Sequence, residues 1–190
     1  MKNRRRKTIQ FAIVALIGLL LILVTFLIWK REYFSFKTFK HPRDRYTIQY
    51  PKNWEASEKV NYVSAIFLSP LENDLDVFRE NVNIVIQDLS ETPLDGNLAK
   101  YTDVAIGQMQ NAFKQNLMVV ESRPMTLSGL PAYKFVYIGK NPGAPDIKNL
   151  HVWTIDGHKA YQISYTAMRE SFDKYLPQVR IMIKSFKITR

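Results

Sequence analysis

Residues 150–166, LHVWTIDGHKAYQISYT, read as two strands folded back on one another. Leu150 to Ile155 and Lys159 to Thr166 alternate with the period of a strand on either side of Asp156-Gly157, and Asp-Gly between two such runs is the strongest short hairpin signal. A two-residue turn over Asp156-Gly157 sets Ile155 against His158, Val152 against Tyr161 and Leu150 against Ile163, which makes one apolar face for a core. The opposite face, with Trp153 against Ala160, His151 against Gln162 and Ser164 just beyond, is more polar. That face either lines a pocket or partner surface through His151, Trp153 and Gln162, or lies beneath a helix in a two-sided sandwich.

Outward from the hairpin, the chain keeps producing short strands. Ala132 to Ile138 and Met118 to Glu121 are strands divided by Ser128-Gly129 and Pro131, and Gly139 to Asp146, GKNPGAPD, is an exposed connection. Leu98 to Gln115 repeats apolar residues at 98, 101, 105, 109, 112 and 113, the period of a helix. Before it come the strands Tyr46 to Tyr50, Tyr62 to Leu68 and Val82 to Leu89, with an acidic, turn-rich loop from Ser69 to Glu80. At the C-terminus Pro177 suits the first turn of a helix, where its missing N–H is unpaired anyway, and Tyr175, Leu176, Val179, Ile183 and Phe186 give that helix an apolar stripe. Several strands, one inserted helix and one closing helix predict an α+β domain, a mainly antiparallel sheet with helices packed on it.

The first thirty residues belong to a different solvent. Thr8 to Trp29, TIQFAIVALIGLLLILVTFLIW, is an uncharged run of 22 residues. As a helix it reaches about 33 Å, against roughly 30 Å of hydrocarbon in a bilayer. We read it as a transmembrane helix. Lys2, Arg4, Arg5, Arg6 and Lys7 precede it, and the positive-inside rule places them in the cytoplasm and the rest of the chain on the extracytoplasmic side of the cell membrane. The run is longer than the apolar core of a cleaved signal peptide and no A-x-A-like site follows it. The expected organisation is a basic cytoplasmic segment (1–7), the span (8–29), a juxtamembrane linker (30–43) and one domain (44–190). Residues 30–45, KREYFSFKTFKHPRDR, interleave aromatics with cations, which suits the headgroup region. The functional alternative is that Lys37, Lys40, Arg43 and Arg45 contact anionic lipid or an acidic partner.

Composition excludes several classes. The chain of 190 residues holds 27 Lys and Arg against 17 Asp and Glu, but six of the cations lie in the first 30 residues, which leaves 21 against 17, a net charge of only +4. No dense basic face or recognisable module points to nucleic acid. Cysteine is absent, so there is no disulfide, thiolate metal site or lipidated Cys. There is no G-x-S-x-G elbow, phosphate-cradling loop, G-x-G-x-x-G or H-E-x-x-H, and the three histidines are His41, His151 and His158. Within Glu72-Asn73-Asp74-Leu75-Asp76 the carboxylates of Glu72, Asp74 and Asp76 are oxygen ligands of the kind calcium takes, although the turn glycine and distal glutamate of an EF-hand are missing. The plain alternative is a solvated loop, with no cofactor.

The order Tyr50-Pro51-Lys52-Asn53-Trp54, Phe67-Leu68-Ser69-Pro70, Phe78-Arg79-Glu80-Asn81-Val82-Asn83-Ile84, Gly129-Leu130-Pro131-Ala132-Tyr133, Ala160-Tyr161-Gln162-Ile163-Ser164-Tyr165 and Ile183-Lys184-Ser185-Phe186 resembles the PsbP-like proteins, relatives of the extrinsic photosystem II protein. The likeness spans roughly residues 44 to 188. It implies an antiparallel sheet sandwiched between helices. It also implies a non-enzymatic domain that docks on a membrane complex, which in photosystem II helps to retain calcium and chloride at the manganese cluster. The photosynthetic protein is lumenal and unanchored, whereas this chain keeps its span, and no metal ligand of the family carries over. Glu80, Asn81 and Val82, among the matching residues, read as structural. The expectation is a membrane-anchored domain that binds or steadies a membrane protein complex. The alternatives are a cell-surface protein binding a metal or small ligand, and an unrecognised hydrolase.

Overall fold

The computed structural model describes residues 2–58, 60–94, 96–140 and 143–189; the side chains of residues 2–15, 29 and 32 lie outside that description. The chain divides into two compact units, Met1–Ser35 and Phe36–Arg190. The first is helix α1 (Lys2–Tyr33). In its apolar stretch Thr25 returns its hydroxyl to the carbonyls of Leu21 and Ile22 at 3.0 and 2.9 Å, so the one polar side chain among the described residues 16–28 is satisfied within the helix. Of the expected span, the side chains of residues 8–15 and Trp29 fall outside the description. Among the described residues no helix is long and apolar enough to cross a membrane.

The second unit opens with β1 (Phe36–His41) and β2 (Tyr46–Pro51), followed by β3 (Glu55–Ser57), β4 (Ala65–Leu68) and β5 (Asn81–Asp88). Helix α2 (Leu98–Phe113) and a 3₁₀ turn (Lys114–Asn116) lead to β6 (Leu117–Leu127), β7 (Leu130–Gly139), β8 (Ile147–Asp156) and β9 (Lys159–Met168). Helix α3 (Phe172–Ser185) and β10 (Lys187–Ile188) close the chain. All pairings are antiparallel, in a small sheet ordered β1-β2-β10 and a large one ordered β3-β4-β5-β9-β8-β7-β6. The chain leaves β5, crosses to the far edge through α2, and meanders back until β9 lies beside β5. The α+β class and the helix-covered antiparallel sheet are as expected.

Period-two alternation puts a separate core on each face of the large sheet. On one face Ala65, Phe67, Val82, Ile84, Leu150, Val152, Tyr161, Ile163 and Tyr165 are buried against the small sheet and α3. Helix α3 meets them with Phe172, Tyr175, Val179, Met182 and Ile183, a stripe at helical spacing. On the other face Leu89, Phe135, Tyr137, Trp153 and Ala160 pack beneath Tyr101 and Ala105 of α2. Asn97 caps α2 by accepting the Lys100 N–H at 3.0 Å. Gly139 lies under the Phe113 ring, where any Cβ would collide with it, so the glycine makes room for the end of α2.

Several expected boundaries move, each for a local reason. The central hairpin turns over Gly157-His158, so that Asp156 faces Lys159, Trp153 faces Gln162 and His151 faces Ser164. Only Gly157 of the two central residues has a positive φ, at 58°, the pattern of a II′ turn with glycine first. The slip is two residues, which leaves every side chain on its expected face. Residues 62–64 are not strand: Tyr62 is 97% exposed in a left-handed turn (φ 68°), and β4 starts only at Ala65. Strand β6 runs to Leu127 through Pro124, which is tolerated because β6 is the sheet edge. Its turn to β7 is Ser128-Gly129, with φ of 54° and 79° as a I′ turn needs, and Pro131 lies inside β7. Pro177 sits inside α3, which begins at Phe172 because Phe172 and Tyr175 are drawn into the core. Residues 36–41, read as linker, form β1, with Phe39 edge-on to the buried Phe67 at 5.4 Å. Of the connection from Gly139 to Asp146, residues 141 and 142 lie outside the description.

Phe67 is fully buried between Phe39 and Tyr50, so Phe67→Ala lowers unfolding free energy by about 3 to 5 kcal/mol. Tyr62→Gly, in the exposed left-handed turn, changes it by less than about 0.5 kcal/mol. Urea denaturation of the two variants checks both values.

Candidate functional site

Beside the part of the sheet that α2 covers, the same face turns polar. His151 on β8 and Gln162 and Ser164 on β9 meet there: the imidazole Nδ1 lies 3.0 Å from both the Gln162 amide nitrogen and the Ser164 hydroxyl. The Gln162 amide also donates to Ser164 Oγ at 2.8 Å. The ring stacks on Tyr137 at 5.5 Å, and its Nε2 is 3.5 Å from the Tyr137 hydroxyl. Burial penalises the imidazolium and pushes the His151 pKa down to about 4. Thr166 donates to Asn149 at 2.9 Å, and Asn83 to Asn81 at 3.2 Å, so neutral amides and hydroxyls continue the strip. Ser164 touching an imidazole invites comparison with a nucleophile and its base. Here Gln162 shares the same Nδ1, no carboxylate among the described residues orients the ring, and the low pKa makes it a poor proton acceptor at neutral pH.

The sequence expectations distribute differently in space. His151 and Gln162 come together as neighbours. Trp153 does not join them as a contact residue, because it is wholly buried under α2 with its indole N–H donated to Thr102 at 2.8 Å. In the acidic loop Asp76 spends its oxygens on the backbone N–H groups of Glu72 (2.9 Å) and Phe78 (3.1 Å), and those bonds hold its carboxyl below the usual range. Glu72 pairs with Lys174 at 2.7 Å and accepts from the Tyr175 hydroxyl at 3.3 Å. Among the described residues no three metal-ligating side chains gather closely enough to hold an ion, so Glu72, Asp74 and Asp76 do not form a cluster. Lys37 and Lys40 lie three residues apart on β1 and therefore on opposite faces, and Arg43 and Arg45 fall in the following turn. Lys37 sits 5.1 Å over the Tyr50 ring, opposite it in register.

A cavity of about 780 Å³ was not foreseen from the sequence. It opens where α3 and β10 leave the β6–β7 side of the large sheet uncovered. Leu127, Leu150, Val152 and Phe186 form its floor, and Arg123, Lys134, Arg180, Lys184 and Lys187 line its walls. Arg123 and Lys134 are directly paired across β6 and β7, a repulsive arrangement that Glu121 relieves by accepting from both, from Lys134 at 2.6 Å. The Lys134 hydrogen bond, with Arg123 in support, keeps the Glu121 carboxyl below its ordinary range. The available signal was the spacing of Arg180, Lys184 and Lys187. Nothing local says that β6 lies beside them.

The chain belongs to the PsbP family, whose model matches residues 34–188. The structure is similar to that of cyanobacterial PsbP (CyanoP) from Synechocystis sp. PCC 6803, with a TM-score of 0.59 and 17% identity over 81% of this chain and 92% of that one. It is similar to LpqN, involved in cell envelope biogenesis of Mycobacterium tuberculosis, with a TM-score of 0.62 and 11% identity over 82% and 91% of the two chains. The Saccharomyces cerevisiae Ran-binding protein Mog1p matches with a TM-score of 0.55 and 10% identity over 81% and 95%. No curated protein sequence matches this chain. At these identities the structural likenesses establish the fold.

The lowered His151 pKa sets an acid limb for stability. The folded state resists the proton that the unfolded chain takes up near pH 6.5, so the contribution of His151 to stability is full above about 6.5 and is lost as pH drops toward 4. His151→Asn removes this contribution, and the decline in melting temperature between pH 6.5 and 4 becomes shallower than in the parent protein.

Proposed function

We propose that this is a membrane-tethered, non-enzymatic member of the PsbP family whose extracytoplasmic domain binds or steadies a membrane protein complex. One observation carries the reading: the PsbP match opens at residue 34, five residues beyond the uncharged run that ends at Trp29. Five residues reach at most about 18 Å. A domain tethered so closely meets chiefly what lies at the same membrane surface. The cations before the run, from Lys2 to Lys7, support the outward placement of the domain. At the His151 cluster no orienting carboxylate stands among the described residues and burial lowers the imidazole pKa, which supports a non-catalytic role for that site. The structurally similar Mog1p is a Ran-binding protein, which accords with a binding role.

Alkaline carbonate washing should leave the full chain with the membrane and release a version lacking residues 1–30. Affinity purification of the full chain from gently solubilised membranes should recover an integral-membrane protein in stoichiometric amount. A monodisperse lone protein from that purification would refute the partner reading, and carbonate release of the full chain would refute the tether.

A further inference from the structure

We propose that the cavity between α3, β10 and the β6–β7 side of the sheet binds a single anionic amphiphile, its chain on the apolar floor and its anionic head against Arg180, Lys184 and Lys187. The volume of about 780 Å³ lies within the roughly 300 to 1,000 Å³ of small-ligand sites, too confined for a folded partner. Five of the residues that line it are cationic and none is acidic. Glu121, at the edge, answers Arg123 and Lys134. Among the described residues Arg180, Lys184 and Lys187 have no ion-pair partner, although they crowd one side of the cavity. Arg180 and Lys184 stand one helical turn apart, so their charges repel until an anion joins them. All three are exposed and long enough to close over a head group while their methylene stems extend the apolar surface below.

The floor separates an amphiphile from a bare anion. Leu127, Leu150, Val152, Ile183 and Phe186, with Met125 and Ile188 beside them, offer a phosphate or carboxylate no hydrogen bond, whereas an alkyl chain gains by covering them. Neither moiety alone uses both halves of the cavity. The ligand class is therefore a single-chain or lipid-like molecule with a phosphate or carboxylate head, and its recognition does not depend on which membrane complex the domain meets.

Full-length protein in phosphatidylcholine nanodiscs is titrated by calorimetry with octyl phosphate, with protein-free discs as the blank. The expected result is saturable one-to-one binding that weakens at least tenfold in Lys184→Glu/Lys187→Glu, a variant of two exposed side chains whose unliganded melting temperature stays near that of the parent. Inorganic phosphate and octanol, tested alone, should each bind at least tenfold more weakly than octyl phosphate. Absence of saturable binding overturns the proposal, as does equal binding by the charge-reversed variant. Inorganic phosphate binding as tightly as octyl phosphate would make this an adventitious anion site only, and octanol doing so would remove the head-group contacts.

Discussion

The structure depends on a sheet that must be dry on both faces. Along β8 and β9, Val152, Ile163 and Tyr165 point into one core and Trp153 and Ala160 into the other. Two faces need two covers, and the chain supplies one from its middle and the other from both ends of the domain: α2 after β5, and α3 with the small sheet that joins β1 and β2 to β10. The path through α2 makes the β6–β9 meander begin at the far edge and end beside β5. Burying a fully covered Val, Leu or Phe contributes about 1.5 to 3 kcal/mol, so several such residues on each face penalise any arrangement that leaves one face wet.

Each cover leaves part of its face to polar or charged groups. On the α2 face the remainder is a strip of neutral hydrogen-bonding groups in which His151, Gln162 and Ser164 bond to one another while the buried Asn83 Oδ1 has no hydrogen-bond partner. On the α3 face it is the cation-walled cavity. The contrast follows from what surrounds each. The strip draws its groups from adjacent strands, whose polar side chains lie within hydrogen-bond reach of one another. The cavity gathers cations from a helix, a short strand and an edge hairpin, which are brought together by packing and only partly neutralised by Glu121.

Identity of 10 to 17% to structures of the same fold fits this picture. Alternation along the strands and apolar stripes on two helices can be met by many side chains, so the architecture tolerates wide substitution. Exposed walls such as those formed by Arg180, Lys184 and Lys187 are under no such architectural demand.

What the sequence by itself determined is whatever depends on near neighbours. The antiparallel class, the helical period from Leu98, the strand at Tyr46 and the assignment of Val152 and Trp153 to opposite faces all follow from patterns within a dozen residues. Where one glycine decides, local reading falters: a II′ turn led by Gly157 shifts the hairpin register by two residues without moving a side chain across the sheet. The resemblance to the PsbP-like proteins was legible from the order of short motifs, and the family match extends over residues 34–188. Only the tertiary structure decided that Trp153 is sealed beneath Thr102 and that Asp76 binds its own loop. It alone placed Lys134 and Arg180 on one cavity. The reason is physical. Alternation and helical period are set by backbone geometry over a few residues, whereas a site made from β6, β7 and α3 exists only after the sheet has chosen its edge and the last helix has docked.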